Sequence, residues 1–414
     1  MPDDFDPNNI PSADDMQEAA MRALREIIAF MMLHRDEPEI VVREMERIVP
    51  ILKAAIEVDG PHQPKAITIG LELNLDYWWR RNRLHEWIAV LMPLLSHALN
   101  LGRADFLTTI YRAWALCLHL MGKTGAAARA LEAAADYAQD AERADLALLV
   151  RAEIFNFQVW EMSLNKAQAE ARMLLDEARR LDFPYVQGRT YLSMARIYQR
   201  HGADPERIFI HAQQAFLFLN QANVPGLAAE AVNAMIGALQ LTGQHPGGYV
   251  AQLFETLESL IRRTANPWPQ GALYHVQSVA HYHRGQLDEA RRTALLSYQL
   301  FRELSYSHGR TRATHQLGLI QTRRHCWNLA ELHLKGVLRT YQALHEDTMA
   351  VNARHALAFI AVEQGDDPRA LVLLQAALDA ARALSPGPER DRLIELIQPD
   401  IDEVRKRLEA STQS

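Results

Sequence analysis

The chain has 414 residues, of which 49% are apolar and only 19 are glycine and 18 proline. This composition is typical of a helix-rich globular protein, and it excludes collagen-like and low-complexity classes. Two cysteines, Cys117 and Cys326, lie far apart without a CxxC motif or a Cys/His metal-binding spacing. We therefore expect a reducing, cytoplasmic compartment and no disulfide framework.

The charge balance is acidic, with 51 Asp and Glu against 44 Lys and Arg and a net charge of −7. A negative protein has no general attraction to nucleic acid or to anionic lipid, so we expect neither as a partner. The acidic start MPDDFDPNNIPSADD lacks the basic region of a signal peptide, and no apolar run approaches the length that crosses a bilayer. The sequence therefore predicts no membrane partner.

A repeat of about forty residues dominates the chain. Turn-forming positions recur at intervals of 40 to 42 residues, at Asn82, Gly122, Met162, Gly202, Gly243, Gly285, His325 and Gly365. Five of these eight are glycine, the residue that most readily adopts the left-handed backbone of a tight turn between helices. The series predicts eight consecutive helical hairpins.

Small residues occupy two fixed offsets from these turns. Six of the eight positions five residues after a turn are small, among them Ala290 and Ala330. Five of the eight positions seven residues before a turn are also small, among them Ser278 and Gly318. Small residues at both offsets predict that the two helices of each hairpin approach closely, with larger apolar residues around them.

The segments ATHQLGLIQTRRHCWNLAELHLKGVL and LYHVQSVAHYHRGQLDEARRTALL resemble tetratricopeptide (TPR) repeats. The 40-residue period is similar to that of the arrays at the C-terminal ends of bacterial STAND-type signal-transduction ATPases and related transcription regulators. The resemblance covers roughly residues 61 to 390 and includes no ATPase core. It implies an all-α, right-handed α-solenoid of about eight TPR-like hairpins, and it says little about function.

The repeat pattern divides the chain into five parts. We expect a disordered acidic N-terminus at 1–12, an N-terminal hairpin cap at 13–60, repeats one to five at 61–268, repeats six to eight at 271–387, and a C-terminal capping helix and tail at 388–414. Ser12 and Asp14 are the N-cap candidates of the first helix. The end helices are expected to cover the apolar faces that an open repeat array leaves exposed.

Motifs for catalysis, metals and cofactors are incomplete. MGKTG at 121–125 lacks the first glycine of a phosphate-binding loop, and HYH at 281–283 and RRHC at 323–326 lack the further ligands of a metal site. The aromatic residues Tyr77, Trp78, Trp79 and Trp87 are interpreted as packing in the first repeat. We therefore predict that the protein has no catalytic residue, no metal and no cofactor. We also predict that it is not an enzyme.

Histidines occur ten residues before each of the last three turns, at His275, His315 and His355. In the resembling family, residues at this offset and at neighbouring helical positions line the concave face of the array. Applied to this chain, the candidate binding residues are Arg189, Arg196, Arg200, His275, Tyr282, His283, Arg312, His315, Arg323, Asn352 and His355. Only Glu363 is acidic among the positions assigned to this face, so we expect a basic, histidine-lined groove.

Two interpretations of the histidines stay open at this stage. They either bind a ligand, with an affinity that rises as they gain charge between pH 7.5 and 6, or hydrogen-bond between hairpins and stiffen the array. The sequence predicts a noncatalytic scaffold that binds an acidic or carboxylate-bearing partner segment in the groove. The alternative is a regulatory sensor, similar to Rap-type receptors, that binds a small peptide or metabolite and signals through another chain.

Overall fold

The computed structural model describes residues 12–34, 38–58, 62, 64–68, 84–120, 123–159, 162–201, 204–242, 247–264, 267–304, 306–343, 346–384 and 388–413. Every regular element in these ranges is helical. The helices are α1 (Ala13–Leu33), α2 (Pro38–Glu57), α3 (Leu84–Asn100), α4 (Ala104–Leu120), α5 (Thr124–Asp140), α6 (Ala144–Gln158), α7 (Leu164–Arg180), α8 (Pro184–Arg200), α9 (Pro205–Gln221), α10 (Pro225–Thr242), α11 (Gly247–Arg262), α12 (Pro267–His283), α13 (Leu287–Glu303), α14 (Ser307–Arg323), α15 (Trp327–Ala343), α16 (Asp347–Glu363), α17 (Asp367–Arg382) and α18 (Pro388–Gln413). Residues 64–68 form one further helical turn. The predicted all-α fold class, a solenoid of TPR-like hairpins, is confirmed.

The chain folds as two compact units. The first comprises residues 1–158, 173–186 and 262–266, and the second comprises residues 159–172, 187–261 and 267–414. In the first unit, helices α1 to α4 share a core that contains Leu24, Leu52, Leu94 and Ile110. No described helix is long and apolar enough to cross a bilayer.

Three of the predicted turns have a left-handed backbone. The φ angles are +75° at Gly285, +57° at His325 and +72° at Gly365, each between two helices. Asn82, Gly122, Gly202 and Gly243 lie outside the described residues, as do Tyr77, Trp78, Trp79 and residues 1–11, and the side chain of Trp87 is likewise not described. A second set of left-handed turns, which the sequence pattern did not reveal, joins successive hairpins at Gly102, Glu142, Asp182 and Asn223.

Small residues bring the helices of a hairpin together, as predicted. The hydroxyl of Ser278, before the turn of α12 and α13, donates to the carbonyl oxygen of Ala290 after it, at 2.7 Å. In the next hairpin, a Cβ atom added to Gly318 would lie 2.8 Å from the side chain of Leu334. Ala330, at the same offset as Ala290, is completely buried. These positions therefore admit no larger side chain without displacing the partner helix.

The two end helices have identifiable caps and partners. Ser12 forms a capping box with Asp15, in which each side chain bonds the other residue's backbone N–H. At the other end, Leu393, Ile397 and Ile401 of α18 are buried in a core shared with α17. Helix α18 thus covers apolar surface of the last hairpin in the second unit.

We expect Ala330→Arg to reduce the free energy of unfolding by about 3 to 5 kcal/mol, because a charged side chain would enter a filled and dry layer. Leu332→Arg is the matched control, since Leu332 lies on the same helix and is 68% exposed. It should change stability by no more than about 0.5 kcal/mol. Urea denaturation followed by circular dichroism measures both values, and equal stability of the two variants would contradict the packing described here.

Candidate functional site

In the second unit, alternate helices form an inner layer. Helices α10, α12, α14 and α16 contact one another in that order, in addition to their neighbours in sequence. We call the accessible side of these four helices, together with residues 187–200 of α8, the inner face. Because one helix from each hairpin contributes to it, equivalent positions in successive repeats form rows across this face.

Helix α14 shows how sequence spacing builds the inner face. Most of its side chains are buried, but His308, Arg312, Leu319 and Arg323 form one accessible stripe along the helix. Their spacings of four and seven residues place them on one side of an α-helix. His315 lies within this stripe, although only 8% of it is exposed. The stripe contains Arg312, His315 and Arg323, which the sequence analysis assigned to binding.

Arg312 is the central cation of this region. Among the described residues it makes no salt bridge or hydrogen bond, yet its charge acts on His275, His315, Tyr306 and Tyr341. Burial is the main cause that lowers the pKa of His275 to about 3, with Arg312 as the next cause. Burial followed by Arg312 also lowers the pKa of His315 to about 4. An uncompensated guanidinium therefore stands beside two neutral imidazoles.

The neutral state of these histidines corrects the expected pH response. His275 and His315 remain uncharged between pH 7.5 and 6, because their pKa values lie well below that interval. Charging of these two residues therefore cannot strengthen binding as the pH falls through that range. They can offer one N–H donor and one nitrogen acceptor each, while Arg312 supplies the positive charge.

Several buried polar atoms of this region have no hydrogen-bond partner among the described residues. They are both amide atoms of Asn233, Nδ1 of His275, Nε2 of Gln316 and the hydroxyl of Tyr341. Orphaned buried polar atoms each cost about 1 to 3 kcal/mol, and such atoms are rare in native proteins. Asn233 lies ten residues before Gly243, so it occupies the same row as His275 and His315. Applying the ten-residue offset of the histidines to the fifth repeat would have identified Asn233 from the sequence.

The inner face carries acids as well as bases. Arg196 of α8 is paired with Glu230 of α10. His308 Nδ1 lies 2.5 Å from a carboxylate oxygen of Glu346. Burial raises the pKa of Tyr306, and the charges of both carboxylates and of Arg196 and Arg312 act on it. Both carboxylates thus have partners, whereas Arg312 and Arg323 of the accessible stripe have no acidic partner among the described residues.

Two predicted residues form a stack at the end of the inner helices. The guanidinium of Arg323 lies over the ring of Tyr282, with 4.7 Å between its central carbon and the ring centroid. Its Nη1 also donates to the carbonyl oxygen of Tyr282 at 3.3 Å. His283 is exposed beside them, with its ring edge-on to Tyr282. This stack links α12 to α14 and fixes the direction of the Arg323 side chain.

The remaining predicted residues lie elsewhere on the inner helices. Nε2 of His355 is 2.7 Å from a carboxylate oxygen of Asp400 in α18, so this histidine already has a partner. The amide of Asn352 donates to the carbonyl oxygen of Thr348 in its own helix. Arg189 of α8 is buried. The side chain of Arg200 lies outside the described residues.

Within the described ranges, no group of three or more His, Cys, Asp or Glu side chains could hold a metal ion. Cys326 of the RRHC segment is exposed and Cys117 is buried, and neither forms a disulfide bond. The inner face thus presents the exposed cation Arg312 next to buried amide, imidazole and phenol groups.

No protein-family model matches the chain, and no curated protein matches it in sequence. Solved structures do match. The signal-transduction STAND protein with a tetratricopeptide repeat sensor from Pyrococcus horikoshii is 14% identical, with a TM-score of 0.55 over 96% of this chain and 56% of that one. The fold is TPR-like. This chain thus spans little more than half the length of that STAND protein.

A second structure extends the likeness over most of both chains. The Rap protein in complex with competence and sporulation factor is 12% identical, with a TM-score of 0.51 over 84% of this chain and 99% of that one. At such identities the likeness concerns the fold alone. It agrees with the TPR-like architecture that the sequence predicts.

We expect His275 and His315 to make stability depend on pH. Their folded-state pKa values lie below the unfolded value of about 6.5, so the stability they confer is present above that pH and is lost as the pH falls. Between pH 7.5 and 5, each should lose about 1 to 2 kcal/mol. Urea denaturation at both pH values gives the free energy of unfolding of the wild type and of a His275→Gln/His315→Gln variant. The wild type should lose more stability than the variant between pH 7.5 and 5. An equal loss in both proteins would contradict the lowered pKa values of the two histidines.

Proposed function

We propose that the protein is a noncatalytic interaction module whose inner face binds a polypeptide segment that carries a carboxylate. The observation that carries this proposal is Arg312, a cation without a salt bridge among the described residues, surrounded by buried neutral polar groups. A carboxylate of the partner would form charge-assisted hydrogen bonds with its guanidinium. Because the neighbouring imidazoles are neutral, Arg312 supplies this charge at neutral pH.

The repeat geometry supports an extended polypeptide as the partner. Successive inner helices contact one another in order, so equivalent positions form rows across the inner face. A segment laid across the helices would contact these positions in turn. A compact inorganic anion could pair with Arg312 but could not also reach the neighbouring helices.

The second candidate function is a sensor of a small peptide or metabolite that signals through another chain. Two observations on similar structures favour it: the STAND protein's repeats are described as a sensor, and the Rap protein was solved with a bound factor. Native mass spectrometry of the purified chain separates the two functions. A co-purified small molecule or short peptide would support the sensor, whereas a stable complex with one particular protein would support the scaffold.

A cytoplasmic location is part of the proposal and rests on two cysteines that form no disulfide bond. A role in signal transduction is proposed only with the sensor. Identifying the partner tests both the cytoplasmic location and the role in signal transduction.

We expect Arg312→Glu to weaken binding of a selected peptide by about 1 to 3 kcal/mol, because like charge would then face the partner's carboxylate. The peptide is obtained by displaying random nonapeptides on phage, selecting them on the full chain and synthesising the best binder. Fluorescence anisotropy then gives the dissociation constants.

Arg310→Glu is the matched control, since Arg310 is exposed on the same helix but outside the accessible stripe. It makes the same change in net charge and should leave the dissociation constant within about twofold. If selection yields no binder, or if both variants bind equally well, the inner face is not the binding site.

A further inference from the structure

Helices α13, α15 and α17 alternate with the inner helices and pack against them, and we call them the outer helices. The last two of them carry large apolar side chains on the surface. Leu332 of α15 is 68% exposed and Val372 of α17 is 69% exposed. Each lies seven residues after the turn of its hairpin, at His325 and Gly365, so the two residues occupy one row. Leu329, one helical turn before Leu332, is exposed on the same side of α15.

The equivalent positions of the preceding outer helix are charged. Glu289 and Arg292 of α13 correspond to Leu329 and Leu332 of α15, and they form a salt bridge with each other at 2.6 Å. The repeat therefore does not need apolar residues at these outward positions. Exposed apolar residues that adjoin one another are typical of interaction surfaces. The outer side of α15 and α17 thus has the composition of a contact surface, and that of α13 does not.

Helices α15 and α17 lie next to each other and run in the same direction. Arg369 of α17 forms a salt bridge with Glu331 of α15, which joins the two helices near their N-terminal ends. Both helices follow a left-handed turn and both return from an inner helix. Equivalent positions therefore stay level along the pair.

Opposite charges follow the apolar row, again at equivalent positions. The next residues on this side are Gly336 and Ala376, followed by Arg339 on α15 and Asp379 on α17, and all four are exposed. Arg339 makes no salt bridge among the described residues. Asp379 accepts a hydrogen bond from Gln375 of its own helix at 3.0 Å and has no cationic partner in the described ranges. One helix thus presents a cation where its neighbour presents an anion.

We infer that α15 and α17 form the contact of a symmetric dimer, in which the partner is a second copy of this chain. A two-fold axis that lies between the two helices and parallel to them makes each α15 face the α17 of the other copy. Leu332 of one copy then contacts Val372 of the other, and Arg339 pairs with Asp379. The symmetry forms each contact twice, so both apolar side chains are covered and both charges gain a partner.

The charges favour a second copy over an unrelated partner. A surface with a cation and an anion at the same level is complementary to itself, whereas a partner of one charge sign would oppose one of them. The contact involves far fewer residues than the roughly 20 to 30 a side of a standard interface, so we expect a weak dimer. Such a dimer forms at high protein concentration and leaves the stability measured at low concentration unchanged.

Sedimentation velocity of the full chain between about 1 µM and about 1 mM measures the association. The weight-average mass should rise from that of one chain towards twice that value. Val372→Arg should weaken dimerisation by about tenfold or more, because a charge without a partner would face Leu332. Leu217→Arg is the matched control, since Leu217 is exposed on α9, outside the proposed contact. It should leave the dissociation constant within about twofold of the wild-type value.

Exchange of the two charges tests whether α15 faces α17. Arg339→Asp and Asp379→Arg should each weaken dimerisation by about tenfold, because like charges would face each other at both symmetry-related contacts. An equal mixture of these two variants should recover the wild-type dissociation constant within about threefold, since one copy then supplies two anions and the other two cations. Arg310→Asp makes the same change in charge on the inner helix α14 and should have no effect.

Several outcomes would overturn the inference. They are a chain that stays monomeric at the highest concentration, a dimer that Val372→Arg leaves intact, growth beyond the dimer, and a mixture of the charge variants that fails to associate. Recovery in the mixture, with loss in each variant alone, would establish the pairing. The inference is independent of the proposed function, because Arg312→Glu on the inner face should dimerise as the wild type does.

Discussion

The close approach of two helices within each hairpin is the constraint on which the rest of the structure depends. Ser278 bonds directly to the backbone at Ala290, and Gly318 leaves no space for a Cβ atom against Leu334. Because small residues recur at the same two offsets from most of the turns, successive hairpins of the second unit repeat the same orientation of their helices. This repetition places one helix of each of these hairpins in the inner layer and aligns equivalent positions into rows.

Alignment into rows has an electrostatic consequence. A helix such as α14 is packed against neighbours on most sides, so polar residues in its stripe are largely removed from water. His315 is buried in this way and stays neutral, whereas the nearby Arg312 is exposed and keeps its charge. The acids of the region, Glu230 and Glu346, are taken up by Arg196 and His308. Arg312 and Arg323 of the stripe are thus left without an acidic partner among the described residues.

The histidine row illustrates how one sequence offset leads to different environments. His275 and His315 lie between inner helices and have no carboxylate partner in the part of the chain that the structure describes. His355 occupies the equivalent position in the last repeat, but α18 takes the place of the next inner helix and supplies Asp400. The same row can therefore contain both binding and structural histidines. The helix that packs next to each repeat decides which of the two roles its histidine can take.

The sequence by itself determined the all-α class, the repeat period, the turns at Gly285, His325 and Gly365, and the side of α14 that remains accessible. These follow from local rules, because turn conformation and helical spacing depend on residues close in the chain. Only the tertiary structure decided which charges are paired, which histidines are neutral, and that both amide atoms of Asn233 are buried without a hydrogen-bond partner among the described residues. Those properties depend on side chains from other repeats, such as Glu230 beside Arg196 and Asp400 beside His355, whose proximity no local pattern encodes.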